Sequence, residues 1–205
     1  MFIEWFTDGY TDPILDEIVT AAREQSVDIV CFLGNLTASD FPMPRRNVTQ
    51  LLAAPETLDG LLVVTLGHAW TPDKISGFVE AFEPLPMCSV AVPWKTHPRV
   101  MVENETGLRE GIRHLVRAHG RRRIAFLRGP EASEDAETRY RVYREVLEEH
   151  GIPFDPDLVA NGLFIRRNGV EAVCLWLDER KVSFDAVVAA NDGMALGVRK
   201  ELEER

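Results

Sequence analysis

The chain has 205 residues, room for one large domain or two small ones, and its 45% hydrophobic and 27% charged content is that of an ordinary globular protein. A formal net charge of -10 weighs against nucleic-acid binding, because phosphate contacts need a basic face. No apolar run approaches the ~20 residues of a membrane span, and MFIEWFTDGY carries Glu4 with no basic stretch, unlike a signal peptide.

In chain order, Phe2–Phe6 reads as a strand. Asp12-Pro13 then opens a helix, Asp12 as its cap and Pro13 at the first helical position, with Ile14, Ile18, Ala21 and Ala22 on its apolar face. Strands follow at Asp28–Leu33, Leu61–Leu66 and Cys88–Val92, with short helices over Val48–Ala53 and Pro72–Ala81. PWKTHPRVMVEN, Pro93 to Asn104, holds two prolines and reads as a hinge between subdomains, 1–103 and 104–205. Beyond it a helix spans Glu105 to His119 with Leu108, Ile112, Leu115 and Val116 on one side, stopped by Gly120. The strand Arg123–Leu127 leads to a helix over Ala136–His150, with Tyr140, Tyr143 and Leu147 on one face and Gly151 as its stop. A short helix over Gly169–Leu177, the strand Ala186–Ala190 and a helix from Asp192 through Met194, Val198 and Leu202 complete the pattern.

These strands are near-continuously apolar, as in parallel sheets covered on both faces. Their alternation with helices predicts an open, doubly wound α/β fold, whose ligands bind at the carboxyl ends of the strands. In FDAVVAANDGMALGV, Phe184 to Val198, Asn191 and Asp192 sit at such an end with their side chains available to a solute. Asp192 suits an N-cap equally well, and the two roles are compatible.

The chemistry of an enzyme is missing from the sequence. It holds no dinucleotide fingerprint, no phosphate loop and no nucleophile elbow, so no enzyme and no cofactor is expected. Cys31, Cys88 and Cys174 are far apart in apolar stretches and read as buried thiols of a reducing, cytoplasmic compartment. His68, His97, His114, His119 and His150 show no ligand spacing, and His114 and His119, five apart, would share a helix face poorly. His119 and His150 each precede a helix-stopping glycine, where the helix dipole favours a cation. Arg121–Arg123 reads as a basic bend between helix and strand.

The order of these pieces resembles the sensor domain of the LacI/GalR regulators, which has the type I periplasmic-binding-protein fold. In the first half the resemblance rests on LDGLLVV (Leu58–Val64) and LPMCSVAV (Leu85–Val92). In the second half it rests on VENETG (Val102–Gly107), HLVRAHGRRRIAFLRGP (His114–Pro130), Arg139 with Tyr143, NGLFIRRNGVEAV (Asn161–Val173) and FDAVVAANDGMALGV. It implies two doubly wound parallel-sheet lobes with a small polar solute, a sugar or nucleoside, bound between them. Asp192 would accept from its hydroxyls, Arg139 would offer a planar fork, and Phe164 would stack on its ring or serve as a core aromatic. Asn104 lies at the crossover, touching the solute or holding the hinge. In the first lobe the matching loops carry Asp8 and Tyr10, Gly34 and Asn35, and Gly67 and His68, with loop capping an alternative for Asp8 and Asn35.

The sequence departs from that family in two ways. A basic helix-turn-helix is absent, so no nucleic acid would be read by this chain. The family fold also continues further, so the second lobe is expected to be incomplete and a homodimer or exchanged elements to cover it. The opening segment also looks like sensor halves that precede a histidine kinase or diguanylate cyclase. A free-standing solute-binding protein is the remaining alternative.

Overall fold

Short apolar strands alternating with helices produce two parallel sheets, one in each of two compact units, Met1–Val102 and Glu103–Arg205. The computed structural model describes residues 1–3, 10–33, 57–64, 80, 82–92, 94, 96–131 and 133–205. Among these, no helix is long and apolar enough to cross a membrane.

In the first unit β1 (Phe2–Ile3), β2 (Phe32–Leu33), β3 (Leu61–Val64), β4 (Met87–Val90) and β5 (Arg99–Val100) pair in the order β2-β1-β3-β4-β5, all parallel. Leu61, Val63, Met87, Val92 and Trp94 are buried together there. Helix α1 (Thr11–Glu24) begins before the expected Asp12 cap: Tyr10 holds the N-cap position without a side-chain cap bond. Pro13 falls at the third helical position and is tolerated because first-turn N–H groups need no intrahelical partner. The strand expected from Asp28 starts only at Phe32, where β1 supplies a partner, so Cys31 is exposed rather than buried. Cys88 and Cys174 are half-buried. β5 lies inside the expected hinge segment, an exposed two-residue edge strand too short to leave a periodic signal. The helices expected over 48–53 and 72–81 lie outside the described residues apart from Glu80, as do positions 4–6 and 65–66 of the expected strands.

The second unit runs α2 (Thr106–Arg117), β6 (Ile124–Arg128), α3 (Glu134–Glu149), β7 (Val159–Asn161), α4 (Arg166–Cys174), β8 (Ala186–Ala189) and α5 (Asp192–Glu203). β6 is the middle strand of the parallel sheet β7-β6-β8, which is why IAFL carries no polar residue: Ile124 to Leu127 are buried from solvent. Burying each large side chain contributes about 1.5–3 kcal/mol. β7 was not legible as a strand because it has three residues only.

Local chemistry sets the helix ends. Gly120, at φ 65°, donates to Val116 O at 3.1 Å and terminates α2. Gly151, at φ 61°, donates to Glu148 O and is followed by the Ile152 N–H to Leu147 O bond, a Schellman turn ending α3. Ser133 Oγ accepts from Ala136 N at 3.3 Å, so α3 starts at Glu134, earlier than expected. The Arg121–Arg123 bend is structural: the Asp185 carboxylate accepts the Arg122 and Arg123 N–H groups at 2.8 and 3.0 Å.

Helices α4 and α5 meet backbone to backbone. A Cβ on Gly169 would lie 2.2 Å from Met194 O, and one on Gly197 would lie 2.0 Å from Arg166 O. Both obstacles are main-chain atoms of the opposite helix and cannot swing away. On the α2–α3 face, Arg109 pairs with Glu145 and Glu149, Arg113 with Glu149, and Arg141 with Glu145 and Glu105. Hydrogen bonds from Arg109 and then Arg141 hold the Glu145 carboxyl below its ordinary range, and Arg113 does the same for Glu149.

Two outcomes follow from this packing. Gly197→Ala, which in an open helix gains about 1 kcal/mol, should instead lose roughly 2–3 kcal/mol by overpacking, read by urea unfolding. Because Glu145 and Glu149 are depressed in the folded state, their contribution is present above the ordinary value of 4.5 and is lost as pH falls through the lower folded values. Urea unfolding at pH 7 and pH 3 should therefore show a smaller acid loss in a Glu145→Gln/Glu149→Gln variant than in the parent protein.

Candidate functional site

The carboxyl edge of the β7-β6-β8 sheet gathers polar groups from four segments of the second unit. Helix α3 is fixed first: the buried Tyr143 hydroxyl donates to Ile124 O at 2.9 Å, and its ring stacks on Phe126. Burial pushes the Tyr143 phenol pKa well up, so it remains a donor. One turn earlier, Arg139 therefore points past the end of the sheet. Its Nη1 donates to Ala190 O at 2.6 Å, and its Nε and Nη2 donate to Asn104 Oδ1 at 2.9 and 2.6 Å. One turn earlier again, Asp135 Oδ1 accepts from Asn104 Nδ2 at 2.7 Å. Asn104 is thus clamped on both its amide atoms, and Arg139 is held flat by two partners.

The second half of the edge is built around the start of α5. The expectation that Asp192 caps this helix is corrected: Asn191 is the N-cap, extended at φ -151° and ψ 169°, and its Oδ1 accepts from Met194 N at 2.9 Å. The backbone decides between the two neighbours, because the capping side chain must belong to the last non-helical residue. Asp192 lies in the first turn, exposed, and among the described residues no hydrogen bond or ion pair engages its carboxylate. Asn191 Nδ2 donates to Phe164 O at 2.8 Å, so the amide is occupied at both atoms rather than available to a solute. Phe164 is half-buried at φ 63°, and its ring lies against Gly129 and Ala136: a Cβ on Gly129 would stand 2.3 Å from Phe164 Cε1.

Asn104, Arg139, Phe164 and Asp192, all expected as ligand residues, meet along this edge. Arg139 reaches the carbonyl of Ala190, Asn191 follows it, and Asp192 follows Asn191. Tyr10 belongs to the first unit and is exposed ahead of α1. Asp8, Asn35 and His68, with Gly34 and Gly67, lie outside the described residues. The side chain beyond the expectation is Asp135, and Asn191, expected beside Asp192 as available to a solute, is engaged instead at both amide atoms. Asp135 stands four residues before Arg139, the spacing that puts two side chains on one helix face, and could have been found that way.

Arg128, at the end of β6, pairs with Glu137 and lies 4.1 Å over the Tyr140 ring. The histidine expectations need amendment. His114 Nε2 and His119 Nε2 are 3.1 Å apart, because α2 stops at Arg117 and the turn before Gly120 brings the second ring back. Arg117 Nε donates to His150 Nε2, which makes that ring an acceptor at the end of α3. No group of three metal-ligating side chains occurs among the described residues.

Residues 112–205 match the model of the periplasmic binding protein-like domain. The HTH-type transcriptional regulator AscG of Escherichia coli (strain K12) is 32% identical over 134 residues, 65% of this chain and 39% of that protein. A putative transcriptional regulator of the LacI family from Sanguibacter keddieii superposes with a TM-score of 0.75 at 28% identity, covering 100% of this chain and 70% of that one. The chain is homologous to the LacI-family regulators. A transcriptional regulator CelR–cellobiose complex gives a TM-score of 0.76 at 26% identity, covering 99% of this chain and 62% of that one. The chain matches 39% of the length of AscG.

Asn104→Ala removes the acceptor of two Arg139 N–H bonds and the donor to Asp135. The expected cost is about 1–3 kcal/mol in urea unfolding, the range for hydrogen bonds to a charged, part-buried group. An unchanged midpoint would mean that water replaces Asn104 without loss.

Proposed function

We propose that this chain is the effector-sensing part of a LacI-type transcriptional regulator, and that the carboxyl edge of the β7-β6-β8 sheet binds a small polar solute, a sugar or nucleoside. The observation that carries this is a guanidinium fixed at the carbonyl of Ala190, with an unengaged carboxylate two residues further along the chain at Asp192. Of the five N–H groups of Arg139, Asn104 and Ala190 take three, which leaves two to aim at a solute. Asp192, two residues beyond Ala190, is free to accept from hydroxyls. The half-buried Phe164 ring adds an apolar surface of the kind a sugar or base ring stacks on.

The sugar class is supported by the cellobiose carried by the CelR complex, whose fold this chain shares. Asp8, Tyr10, Asn35 and His68 are assigned as further contacts from the first unit on the strength of the family resemblance. In this reading the chain catalyses nothing and contacts no nucleic acid itself. It works in the cytoplasm as a homodimer, and the solute biases a two-state equilibrium by its differential affinity for one state.

The test is a thermal-shift screen of the full-length protein with cellobiose, glucose, adenosine and guanosine. A solute at 100-fold its dissociation constant adds about 2.7 kcal/mol, a readily visible rise in melting temperature. Asp192→Ala should melt at the parent temperature without solute and lose the rise. Absence of a shift with every sugar and nucleoside would overturn the reading, and an Asp192→Ala variant that still responds would remove that residue from the site.

A further inference from the structure

The Asn191 side chain makes two bonds of different kinds, and only one of them is needed to start a helix. Its oxygen accepts from Met194 N at 2.9 Å, the ordinary capping bond. Serine, threonine or aspartate would provide that as well. Its nitrogen donates to Phe164 O at 2.8 Å, across 27 positions of sequence, and an amide is required for both bonds to coexist.

The recipient of the second bond is a strained residue. Phe164 sits at φ 63°, in the left-handed region that costs a non-glycine residue on the order of 1–2 kcal/mol. Such a conformation persists only where its surroundings over-determine it. Among the described residues three contacts contribute to this. Asn191 holds the Phe164 carbonyl, Asn168 Oδ1 accepts the Leu163 N–H at 2.7 Å, and Gly129 leaves the space into which the ring fits. The flanking Leu163 and Ile165 are 52% and 51% exposed, so the loop has little burial of its own to hold it.

We propose that Asn191 is a positioning residue, whose single amide caps α5 and holds Phe164 in its left-handed conformation, so that the aromatic ring and the Asp192 carboxylate are set in one frame. The effect on solute binding rests on the sensing function proposed above. Without the donor, Phe164 relaxes to negative φ and its ring leaves Gly129. Asp192 stays where it is, because the cap bond still fixes the start of α5.

Asn191→Ser separates the two bonds: its hydroxyl caps the helix but is too short to reach Phe164 O. Hydrogen exchange of the full-length protein, without solute, reads the tie directly. Asn191→Ser should speed exchange of the Leu163 amide tenfold or more and leave the Met194 amide as protected as in the parent, whereas Asn191→Ala should expose both. Unchanged Leu163 exchange in Asn191→Ser would overturn the proposal. Titration with cellobiose then tests the route. Asn191→Ser should weaken binding at least tenfold and add nothing further in a Phe164→Ala background. An equal loss with and without the ring would show that Asn191 does not act through Phe164. If the parent protein binds no cellobiose, that solute is struck from the sensing reading, while the exchange result still decides the role of Asn191.

Discussion

The guanidinium of Arg139 joins three stretches that are remote in sequence: the start of the second unit at Asn104, helix α3 that carries it, and the segment before α5 at Ala190. A planar, permanently charged fork with several donors is suited to this, because its bonds to Asn104 and Ala190 fix the plane as well as the position. Its reach depends on Tyr143, which locks the register of α3 against β6 through Ile124 O. The apolar core and the polar edge are therefore one construction. Ile124 to Leu127 supply the burial that holds the sheet, and the same strand's backbone sets the helix that aims the arginine.

Much of this architecture could be read from apolar runs and glycines. IAFL and AVVA lie in strands because nothing polar interrupts them, and Gly120 and Gly151 stop helices because each takes a positive φ. The two- and three-residue strands β5 and β7 could not be read, since a period needs more residues than they have. The residues that gather at the sheet edge were singled out as types, through the family resemblance, at Asn104, Arg139, Phe164 and Asp192. Their connections were not. Ala190 takes part through its carbonyl, which no side chain announces. Asn191 and Asp192 are both good caps, and only the extended backbone at Asn191 assigns that work to the first and leaves the second exposed. The approach of His114 to His119 was missed because a helical wheel says nothing about a chain that has already turned.

The arrangement has a consequence for how a solute is received. Arg139 is already paired with Asn104 and Ala190, so a solute bound as proposed would meet two remaining N–H directions rather than a mobile cation. Its ordering cost is met on folding, and binding at the proposed site would be spared it. In the proposed site, selectivity would depend on the spacing between those N–H groups, the Asp192 carboxylate and the Phe164 ring. A solute has to match a fixed pattern, as a rigid ring bearing hydroxyls can and a flexible chain does only at an entropic cost.

The same residues stand next to the most rigid contact in the unit. Phe164 lies two residues before α4, and Asp192 is the first residue of α5. Those two helices touch through Gly169 and Gly197 with no side chain between them. A packed contact of this kind transmits a displacement and does not absorb it. A solute that drew on Phe164 and Asp192 together, as proposed, would therefore act on α4 and α5 as a single block. A solute touching only one of them would spend its binding energy on the loop, whose strained Phe164 gives way before the helix pair does. Discrimination between effectors and mere binders would on this argument reside in the distance between one aromatic ring and one carboxylate.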